Sequence, residues 1–348
     1  MRLLIDILHP AQANIWRNFI LEMEKRGHEI IVIGRDKDCT LDLLDHYGIR
    51  YKKISSLGKG FAGLGKELIS RTYKLTKLCK KYQPDLLLGC MGPSISITGK
   101  LLGIPSLVFY DNESAKLTNF YVYKLATKYI TSSSYEENPP NHVTYNGYQN
   151  LAYCHPNWFT PSKEKVLALG INPDKKFFLM RFVSWGSSHD LGAAGFSDKV
   201  SFVKELAKHG QVVISAEKNL KLPKELWPYA IIIPPHLLDD IIAFAHLTVG
   251  ESASVAADGA CFGVPSIYLA NTKRGYTNEM DTKFGLVFNY TNQEKAMQKV
   301  IELAERSKES ISSEFQEKRK ELLNHSVDMV TWMVEYVEDY VQASPIPS

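Results

Sequence analysis

Residues 247–269 read Leu-Thr-Val-Gly-Glu-Ser-Ala-Ser-Val-Ala-Ala-Asp-Gly-Ala-Cys-Phe-Gly-Val-Pro-Ser-Ile-Tyr-Leu, and this stretch is the clearest indication of the fold class. Its residues 247–249 predict a short strand, residues 254–263 a helix that stops at a glycine, and residues 265–269 a second strand. Strand, helix and strand in this order are typical of a parallel α/β sheet. The small residues of the turn would leave helix amides open at the carboxyl end of a strand, a place that favours phosphate.

The same alternation runs through both halves of the chain. Further strands are predicted at residues 3–8, 29–34, 51–54, 85–89, 105–110, 128–132, 177–182, 211–215 and 230–233. Further helices are predicted after His9-Pro10, at residues 66–82, 94–103, 199–209 and 237–246, and over most of residues 294–341. One strand followed by one helix, repeated, predicts two Rossmann-like, doubly wound domains that face each other across a cleft.

A linker is predicted between the two domains at residues 138–161. Few residues there are periodic, and the segment contains four prolines, Pro139, Pro140, Pro156 and Pro161. The interpretation gives an N-terminal domain over residues 1–155 and a C-terminal domain over residues 161–320. A last helix at residues 325–342 is expected to cross back to the N-terminal domain.

Composition places the chain among ordinary globular proteins. Its 348 residues are 45% hydrophobic and 23% charged, which excludes disordered and fibrous classes. The formal net charge of +3 is too small to indicate nucleic-acid binding. Five cysteines without a Cys-x-x-Cys pair favour a reduced, cytoplasmic protein without structural zinc. No apolar run reaches the roughly 18–20 residues that cross a bilayer, and residues 3–8 are too short for a signal peptide.

Several short motifs together resemble a known family. They are Asp6-Ile7-Leu8-His9-Pro10, Asp111-Asn112-Glu113, Arg181-Phe182-Val183-Ser184-Trp185 with His189-Asp190, the block 250–265, and Asn278-Glu279 before Phe284-Gly285-Leu286. The chain resembles domain-of-unknown-function family 354 over nearly its whole length. Block 250–265 is similar to the nucleotide-sugar signature of GT-B glycosyltransferases and of the UDP-N-acetylglucosamine 2-epimerase group. The resemblance implies the GT-B architecture, a nucleotide sugar as substrate, no cofactor and no metal.

The second domain is expected to hold the nucleotide sugar. The expected donor contacts are Arg181, Ser184, His189, Lys218, Ser252, Ser254, Asp258 and Glu279. The planar guanidinium of Arg181 suits a diphosphate, and Lys218 would add a second cation. The resemblance implies that Asp258 holds the ribose, where the family commonly has glutamate, and that Glu279, in a loop after Tyr276, contacts the donor sugar. The alternatives are ordinary surface cations and surface acids.

The first domain is expected to bind the acceptor. His9 follows the first strand, and a neutral imidazole suits a general base because its pKa lies near the operating pH. Asp111 and Glu113 end another strand and would orient acceptor hydroxyls or replace His9 as the base. The alternatives are that His9 caps the following helix and that Asp111 or Asn112 caps a turn.

A basic and aromatic surface is also predicted on the first domain. It consists of Lys66, Arg71, Lys74, Lys77, Lys80, Lys81, Lys116, Lys124 and Lys128, with Tyr121 and Tyr123. A glycan or lipid-linked acceptor, or peripheral contact with a membrane, would explain this surface. A solvated helix face would also explain it.

Two further patterns are interpreted as connections. Gly58-Lys59-Gly60, with Gly63 and Gly65, predicts either a mobile acceptor-binding loop or phosphate nest, or a flexible connector. Asp36-Lys37-Asp38 matches an Asp-x-Asp metal motif, but it follows the second strand of a Rossmann-like domain and is therefore interpreted as a surface turn.

The leading hypothesis from the sequence is a glycosyltransferase that moves a sugar from a nucleoside diphosphate to a hydroxyl without a metal. A nucleotide-sugar epimerase would use the same donor site but no acceptor. A nucleotide-sugar-binding protein without turnover is the third alternative. A dinucleotide-dependent enzyme is disfavoured because no Gly-x-Gly-x-x-Gly fingerprint follows the first strand.

Overall fold

A computed structural model describes residues 1–58, 60–110, 112–113, 115–183, 195–216, 221–272 and 274–343. The chain divides into two compact units. The first comprises Met1–Tyr153 and Val327–Ser348, and the second comprises Cys154–Ser326. Each unit is a parallel sheet with helices between its strands, which confirms the predicted α/β class.

The first unit is built from one strand after another with a helix between most of them. Its strands are β1 (Arg2–Ile7), β2 (Glu29–Asp36), β3 (Tyr51–Ser56), β4 (Leu86–Cys90), β5 (Ser106–Tyr110), β6 (Lys128–Ser132) and β7 (His142–Tyr145). Its helices are α1 (Pro10–Lys25), α2 (Thr40–His46), α3 (Gly60–Tyr82), α4 (Pro93–Leu102) and α5 (Lys116–Leu125). The short α6 (Leu151–Cys154) ends at the unit boundary.

The second unit repeats this plan with fewer strands. Its strands are β8 (Phe177–Phe182), β9 (Gln211–Ala216), β10 (Leu247–Gly250), β11 (Ser266–Leu269) and β12 (Val287–Tyr290). Its helices are α7 (Lys163–Ala168), α8 (Lys199–Leu206), α9 (Leu238–Phe244), α10 (Ala253–Phe262), α11 (Gly275–Thr282), α12 (Gln293–Glu305) and α13 (Lys308–His325). Two 3₁₀ turns span Lys224–Tyr229 and Pro235–Leu237. The last helix, α14 (Met329–Ala343), belongs to the first unit, where it packs on α1.

The strand order of the first sheet fixes which helices share a face. The order is β3-β2-β1-β4-β5-β6-β7, and all pairs are parallel. Crossovers between parallel strands are right-handed, so connections that run in opposite directions across a sheet lie on opposite faces. Helices α1 and α2 therefore cover one face, and α3, α4 and α5 cover the other, where α3 packs on α4 and α4 on α5. The order reverses between β1 and β4.

The second sheet has the order β12-β11-β10-β8-β9, again with parallel pairs. The chain runs outward from β8 to β9, and then from β10 to β11 and β12 in the opposite direction. The strand order therefore reverses between β8 and β10. In open α/β sheets a ligand binds outside the carboxyl ends of the strands at such a switch point.

A buried ion pair holds the carboxyl edge of the first sheet. Asp6 of β1 and Arg71 of α3 are 1% and 2% exposed and are paired with each other. Ser94 Oγ, in the first turn of α4, donates to Asp6 Oδ2 at 3.1 Å, and Arg71 Nη1 donates to Ser55 Oγ at 2.6 Å. The prediction that Arg71 belongs to the basic surface is therefore wrong, because its charge is needed to neutralise a carboxylate that the strand buries.

The segment interpreted as a linker contains a strand. His142–Tyr145 forms β7, which pairs with β6 at the edge of the sheet, and His142 Nε2 lies 2.7 Å from Thr131 Oγ1. This strand has four residues, and only Tyr145 is buried. An edge strand that packs little apolar surface leaves no hydrophobic run in the sequence.

The strand predicted at residues 230–233 does not form. Only one bridge joins Ala230 to Ile214 of β9, and Ile232 is 95% exposed. Pro234 and Pro235 follow, and proline has no backbone N–H to continue a ladder. The apolar run Ala-Ile-Ile-Ile therefore misled the prediction.

The glycine-rich loop is also corrected. Helix α3 starts at Gly60, six residues before the prediction, and includes Gly63 and Gly65. A Cβ atom at Gly58 would lie 2.3 Å from the carbonyl oxygen of Gly63, so this pair allows two backbones to touch. Glu67 of α3 accepts a hydrogen bond from Gly58 N at 2.8 Å, which fixes the start of the helix.

Within the part of the chain that the structure describes, none of the helices combines the length and the apolarity that crossing a membrane requires.

His246 makes the stability of the second unit depend on pH. It is 1% exposed, its Nε2 donates to the Leu303 carbonyl oxygen at 3.0 Å, and burial lowers its pKa. The native state therefore favours the neutral ring. The contribution of His246 to the free energy of unfolding is complete above the unfolded-state pKa of about 6.5, and it is lost as the pH falls through that value toward the folded-state pKa. Denaturant unfolding from pH 7.5 to 5 should show a loss of up to about 1.4 kcal/mol per pH unit from this group.

The variant His246→Phe should flatten this part of the pH profile. His46→Phe, on an exposed position of α2, is the matched control for loss of an imidazole. An identical pH profile in His246→Phe and the native protein would contradict the assignment.

Candidate functional site

The switch point of the second sheet is built on a close approach of two strands. Arg181 of β8 pairs with Gly250 of β10, and a Cβ atom at Gly250 would lie 2.4 Å from the Arg181 carbonyl oxygen. Only glycine fits there, because the atom it would strike is backbone. Gly250 thus sets the place where β10 ends and the turn to α10 begins.

Helix α10 presents its N-terminus at this edge. Ser252 is the N-cap, and its Oγ accepts a hydrogen bond from Val255 N at 3.4 Å. The first turn carries no acidic side chain, and Ser254 in that turn is exposed. The turn therefore offers amide groups, two hydroxyls and the positive end of the helix dipole, which together favour an anion.

Arg181 supplies a side-chain cation at this edge. Its Nη1 donates to Ser215 Oγ, near the end of β9, at 2.8 Å. Arg181 is near the end of β8, Ser215 is near the end of the neighbouring β9, and α10 follows β10 on the other side of β8. Because parallel strands bring their carboxyl ends to the same edge, these three elements meet at one edge of the sheet. The Ser215 hydroxyl orients one side of the guanidinium, a contact that the sequence analysis did not predict.

Glu251 is a second residue that the sequence analysis missed. This carboxylate is 3% exposed and directly follows β10. Glu251 Oε2 accepts from Val183 N at 3.1 Å and pairs with Lys199 Nζ at 3.2 Å, while Oε1 accepts from Phe196 N at 3.0 Å. Glu251 therefore ties the end of β8 and the approach to α8 to the turn before α10. An acid directly after an apolar strand was its only signal in the sequence.

Asp258 lies deeper along α10. It is 5% exposed, and the fifth residue after the helix start is about 7.5 Å along the axis. The Cys154 thiol donates to Asp258 Oδ1 at 3.8 Å. Burial, together with the charge of Asp258, raises the pKa of the Cys261 thiol, which therefore remains a protonated neighbour of this carboxylate. Asp258 is therefore a buried acceptor, and not the solvent-facing helix residue that was the alternative.

Helix α11 corrects the expectation for Glu279. This residue lies on α11 and not in a loop, and its Oε1 pairs with Lys283 Nζ at 3.3 Å, one turn further along. The glycine at residue 275 did not prevent the helix because it stands at its first position. Arg274, the N-cap of α11, is only 8% exposed and was missed by the sequence analysis.

In the first unit His9 caps α1. Its Nδ1 accepts a hydrogen bond from Ala11 N at 3.2 Å, and Pro10 occupies the first helical position. The ring is exposed. With Nδ1 occupied as an acceptor, a neutral His9 carries its proton on Nε2. The structure thus contains the capping contact that was the alternative to a catalytic role, and it assigns different tasks to the two ring nitrogens.

Glu113 lies beside a cluster of tyrosines after β5. Glu136 N donates to Glu113 Oε1 at 3.4 Å. Tyr135 and Tyr123 hydroxyls lie 2.7 Å apart, and burial raises the pKa of both far above the usual range. These phenols are therefore neutral hydrogen-bonding groups, and the Tyr123 hydroxyl donates to the Glu137 carboxylate.

Four predicted site residues, Asp111, Ser184, His189 and Lys218, lie outside the described residues. The described donor candidates Arg181, Ser252, Ser254 and Asp258 come together on β8 and α10, whereas Glu279 is one turn inside α11. Among the residues that the structure does describe, no group of three or more His, Cys, Asp or Glu side chains is arranged to hold a metal ion.

The chain belongs to the family described as "Protein of unknown function (DUF354)", whose model matches residues 1–342. This confirms the family resemblance found in the sequence.

A curated relative comes from Actinobacillus pleuropneumoniae serotype 5b. It is a UDP-N-acetylglucosamine–N-acetylmuramyl-(pentapeptide) pyrophosphoryl-undecaprenol N-acetylglucosamine transferase, 34% identical over 119 residues, which are 31% of this chain and 34% of the relative. The chain therefore spans about a third of the length of the curated relatives that it matches.

Solved structures match over nearly the whole chain. The UDP-GlcNAc 2-epimerase of Neisseria meningitidis bound to UDP-GlcNAc has a TM-score of 0.72 at 14% identity, with 97% of this chain and 100% of that chain covered. A glycosyltransferase of Streptomyces sp. SF2575 has a TM-score of 0.60 at 14% identity, covering 97% and 99%. At these identities the likeness shows the fold, and it confirms the predicted GT-B class.

Glu251 gives a prediction about stability. In Glu251→Gln one of the two backbone donors, or Lys199, loses its acceptor, so the free energy of unfolding should fall by about 1–3 kcal/mol. Urea unfolding measures this. Glu205→Gln is the matched control, because Glu205 forms an exposed i,i+3 pair with Lys208, and its loss should stay below about 1 kcal/mol. Equal losses in the two variants would contradict the inference that the contacts of Glu251 stabilise the second unit.

Proposed function

We propose that this protein is a glycosyltransferase that moves a sugar from a nucleoside diphosphate donor to an acceptor hydroxyl without a metal. One observation carries the proposal. At the switch point of the second unit, Arg181 is paired with Gly250 just before α10, whose first turn has serines and no acid. A helix N-terminus and an arginine fork are both groups that suit phosphate oxygens.

The same groups suit the chemistry of the leaving group. As the bond between sugar and diphosphate breaks, negative charge grows on the phosphate oxygens, and fixed amides and a guanidinium stabilise it without reorganisation. Arg181 is already oriented by Ser215, so little entropy is lost when it meets the phosphate. Glu251 does not oppose this charge strongly, since two amides and Lys199 already bind its oxygens.

Asp258 is assigned to the ribose hydroxyls. Its place is about 7.5 Å along α10 from the phosphate end of the helix. Aspartate is shorter than glutamate, so the ribose must lie closer to α10 than it would with glutamate. Ser252 and Ser254 complete the donor contacts, together with Ser184, His189 and Lys218 as further proposals.

The acceptor side is assigned to the first unit. His9, Asp111 and Glu113 remain the candidates for binding and deprotonating a hydroxyl of a glycan or lipid-linked saccharide. Because the neutral His9 ring donates from Nε2 while its Nδ1 serves the cap, it acts as a base only if that cap opens. A carboxylate such as Glu113 needs no such change, which favours it as the base.

An epimerase is the second candidate. The solved structure of the Neisseria meningitidis UDP-GlcNAc 2-epimerase has a higher TM-score against this chain than the Streptomyces glycosyltransferase, 0.72 against 0.60. An epimerase would hold the nucleotide in the same way and would need no acceptor.

Donor binding should depend on Arg181 and Asp258 in different ways. We expect Arg181→Met to weaken a nucleoside diphosphate about 10- to 100-fold and the corresponding monophosphate less, because a charged hydrogen bond to the second phosphate is lost. Asp258→Asn should instead reduce the preference for the ribonucleotide over its 2′-deoxy form. Calorimetric titration with UDP, GDP, ADP, CDP, their monophosphates and the 2′-deoxy form of the diphosphate that binds measures these effects.

The control for Arg181→Met is Arg306→Met, a cation of the same unit that pairs with Glu314 at the surface. It should leave every affinity unchanged. If no nucleotide binds the native protein, or if Arg306→Met weakens binding as much as Arg181→Met, the donor site is wrongly placed.

Turnover separates the two enzyme candidates. The native protein, incubated with the nucleotide sugar that binds and with EDTA, should release nucleoside diphosphate only when a saccharide acceptor is added. Conversion of the nucleotide sugar to a stereoisomer by protein alone would instead establish the epimerase. Tight nucleotide binding without either reaction would mean a binding protein.

A further inference from the structure

The helices α3, α4 and α5 form a continuous outer face of the first unit, called here the α3–α5 face. Their connections all run in the same direction across the sheet, so they lie side by side, and α4 packs against both neighbours. The face therefore combines three separate stretches of sequence into one surface.

Its charge is strongly one-sided. The three helices contain nine basic residues and one acid, Glu67, whose side chain is 8% exposed and paired with Arg35. Arg71 is buried, which leaves eight exposed lysines, Lys66, Lys74, Lys77, Lys80, Lys81, Lys100, Lys116 and Lys124. With a chain total of only +3, the rest of the sequence carries more acids than bases.

Large apolar side chains are exposed between these lysines. Five of the ten that the described residues expose lie here, each between 60% and 75% exposed: Ile69, Tyr73, Leu101, Leu117 and Phe120. The three helices make up only 43 residues, so the patch is a concentration and not a scatter. Lys77 lies over the Tyr73 ring at 4.6 Å and Lys124 over the Phe120 ring at 4.0 Å.

We infer that the α3–α5 face binds the surface of a bilayer that contains anionic phospholipids. Apolar side chains enter the boundary between headgroups and acyl chains, and the surrounding lysines pair with lipid phosphates. Lysine stems cover apolar surface while the ammonium groups stay in the polar layer, as the two contacts with aromatic rings already illustrate. A soluble polyanion would explain the lysines but would leave five apolar side chains without a role.

The inference does not rest on the proposed function, because it concerns helices other than those that carry the donor site. It also differs from the expectation drawn from the sequence. The exposed aromatic residues of this face are Tyr73 and Phe120, whereas Tyr121 and Tyr123 are partly buried.

The test is flotation of the purified full chain with vesicles of phosphatidylcholine alone or with 30% phosphatidylglycerol. The protein should bind the anionic vesicles at 50 mM salt, and binding should fall at 500 mM as the charges are screened. The variant Phe120→Ser with Lys124→Glu should bind at least tenfold more weakly, since one lysine near the surface alone is worth about fivefold.

A matched control lies on the opposite face of the same unit. Leu21 and Lys25 of α1 repeat the spacing of Phe120 and Lys124, and both are exposed. Leu21→Ser with Lys25→Glu should float like the native protein, and both double variants should keep the far-ultraviolet circular-dichroism spectrum and the cooperative urea unfolding of the native protein. These last measurements keep loss of folding apart from loss of membrane contact.

Three results would overturn the inference. One is equal binding to both kinds of vesicle, and another is an equal loss in the α1 control. The third is binding of polyphosphate through the same lysines with no flotation, which would make the face a site for a soluble polyanion.

Discussion

The right-handed crossover between parallel strands is the constraint on which the rest of this structure depends. It forces helices whose connections run in opposite directions onto opposite faces, and it produces in each sheet one place where the order reverses. In the second unit that place holds Arg181 and the start of α10. In the first unit the same rule sets α3, α4 and α5 side by side. The same topological rule thus determines the place of the candidate phosphate site in the second unit and of the candidate membrane face in the first.

Each switch point also contains a buried carboxylate. Asp6 in β1 and Glu251 after β10 are both nearly inaccessible, and each is bound by one cation and by hydrogen bonds from neighbouring segments. Breaking such a pair is costly because it leaves a charge without solvent or partner. These acids therefore act as local anchors that hold strand ends and helix starts together. They do so without adding net charge to the edge where an anion would bind.

The sequence predicts most of this fold because the signals are local. Apolar runs gave β1, β6 and β8 nearly to the residue, and Gly263 gave the end of α10. Long-range contacts could not be predicted from the sequence. Strand β7 pairs with β6 although it buries only Tyr145, and the start of α3 lies where Gly63 closely approaches Gly58. In the candidate site, the sequence predicts the strand end at Arg181 and the turn of small residues before α10. The partners Ser215 and Lys199 were not, because the residues that they bind are 34 and 52 positions away.

Charge shows the same difference between local and long-range information. A total of +3 is too small to indicate nucleic-acid binding, and as an average over the whole chain it is correct. The average hides a distribution, because α3, α4 and α5 hold nine bases and one acid while the other elements compensate. The sheet topology places these helices on one face. The structure also shows that Arg71 is buried, whereas Leu117 and Phe120 are exposed. The field of a surface charge is screened over about 8 Å at physiological salt, so a partner responds to the charges of one face and not to the total of the chain. The net charge of a two-unit protein is therefore a weak reason to exclude an anionic surface as its partner.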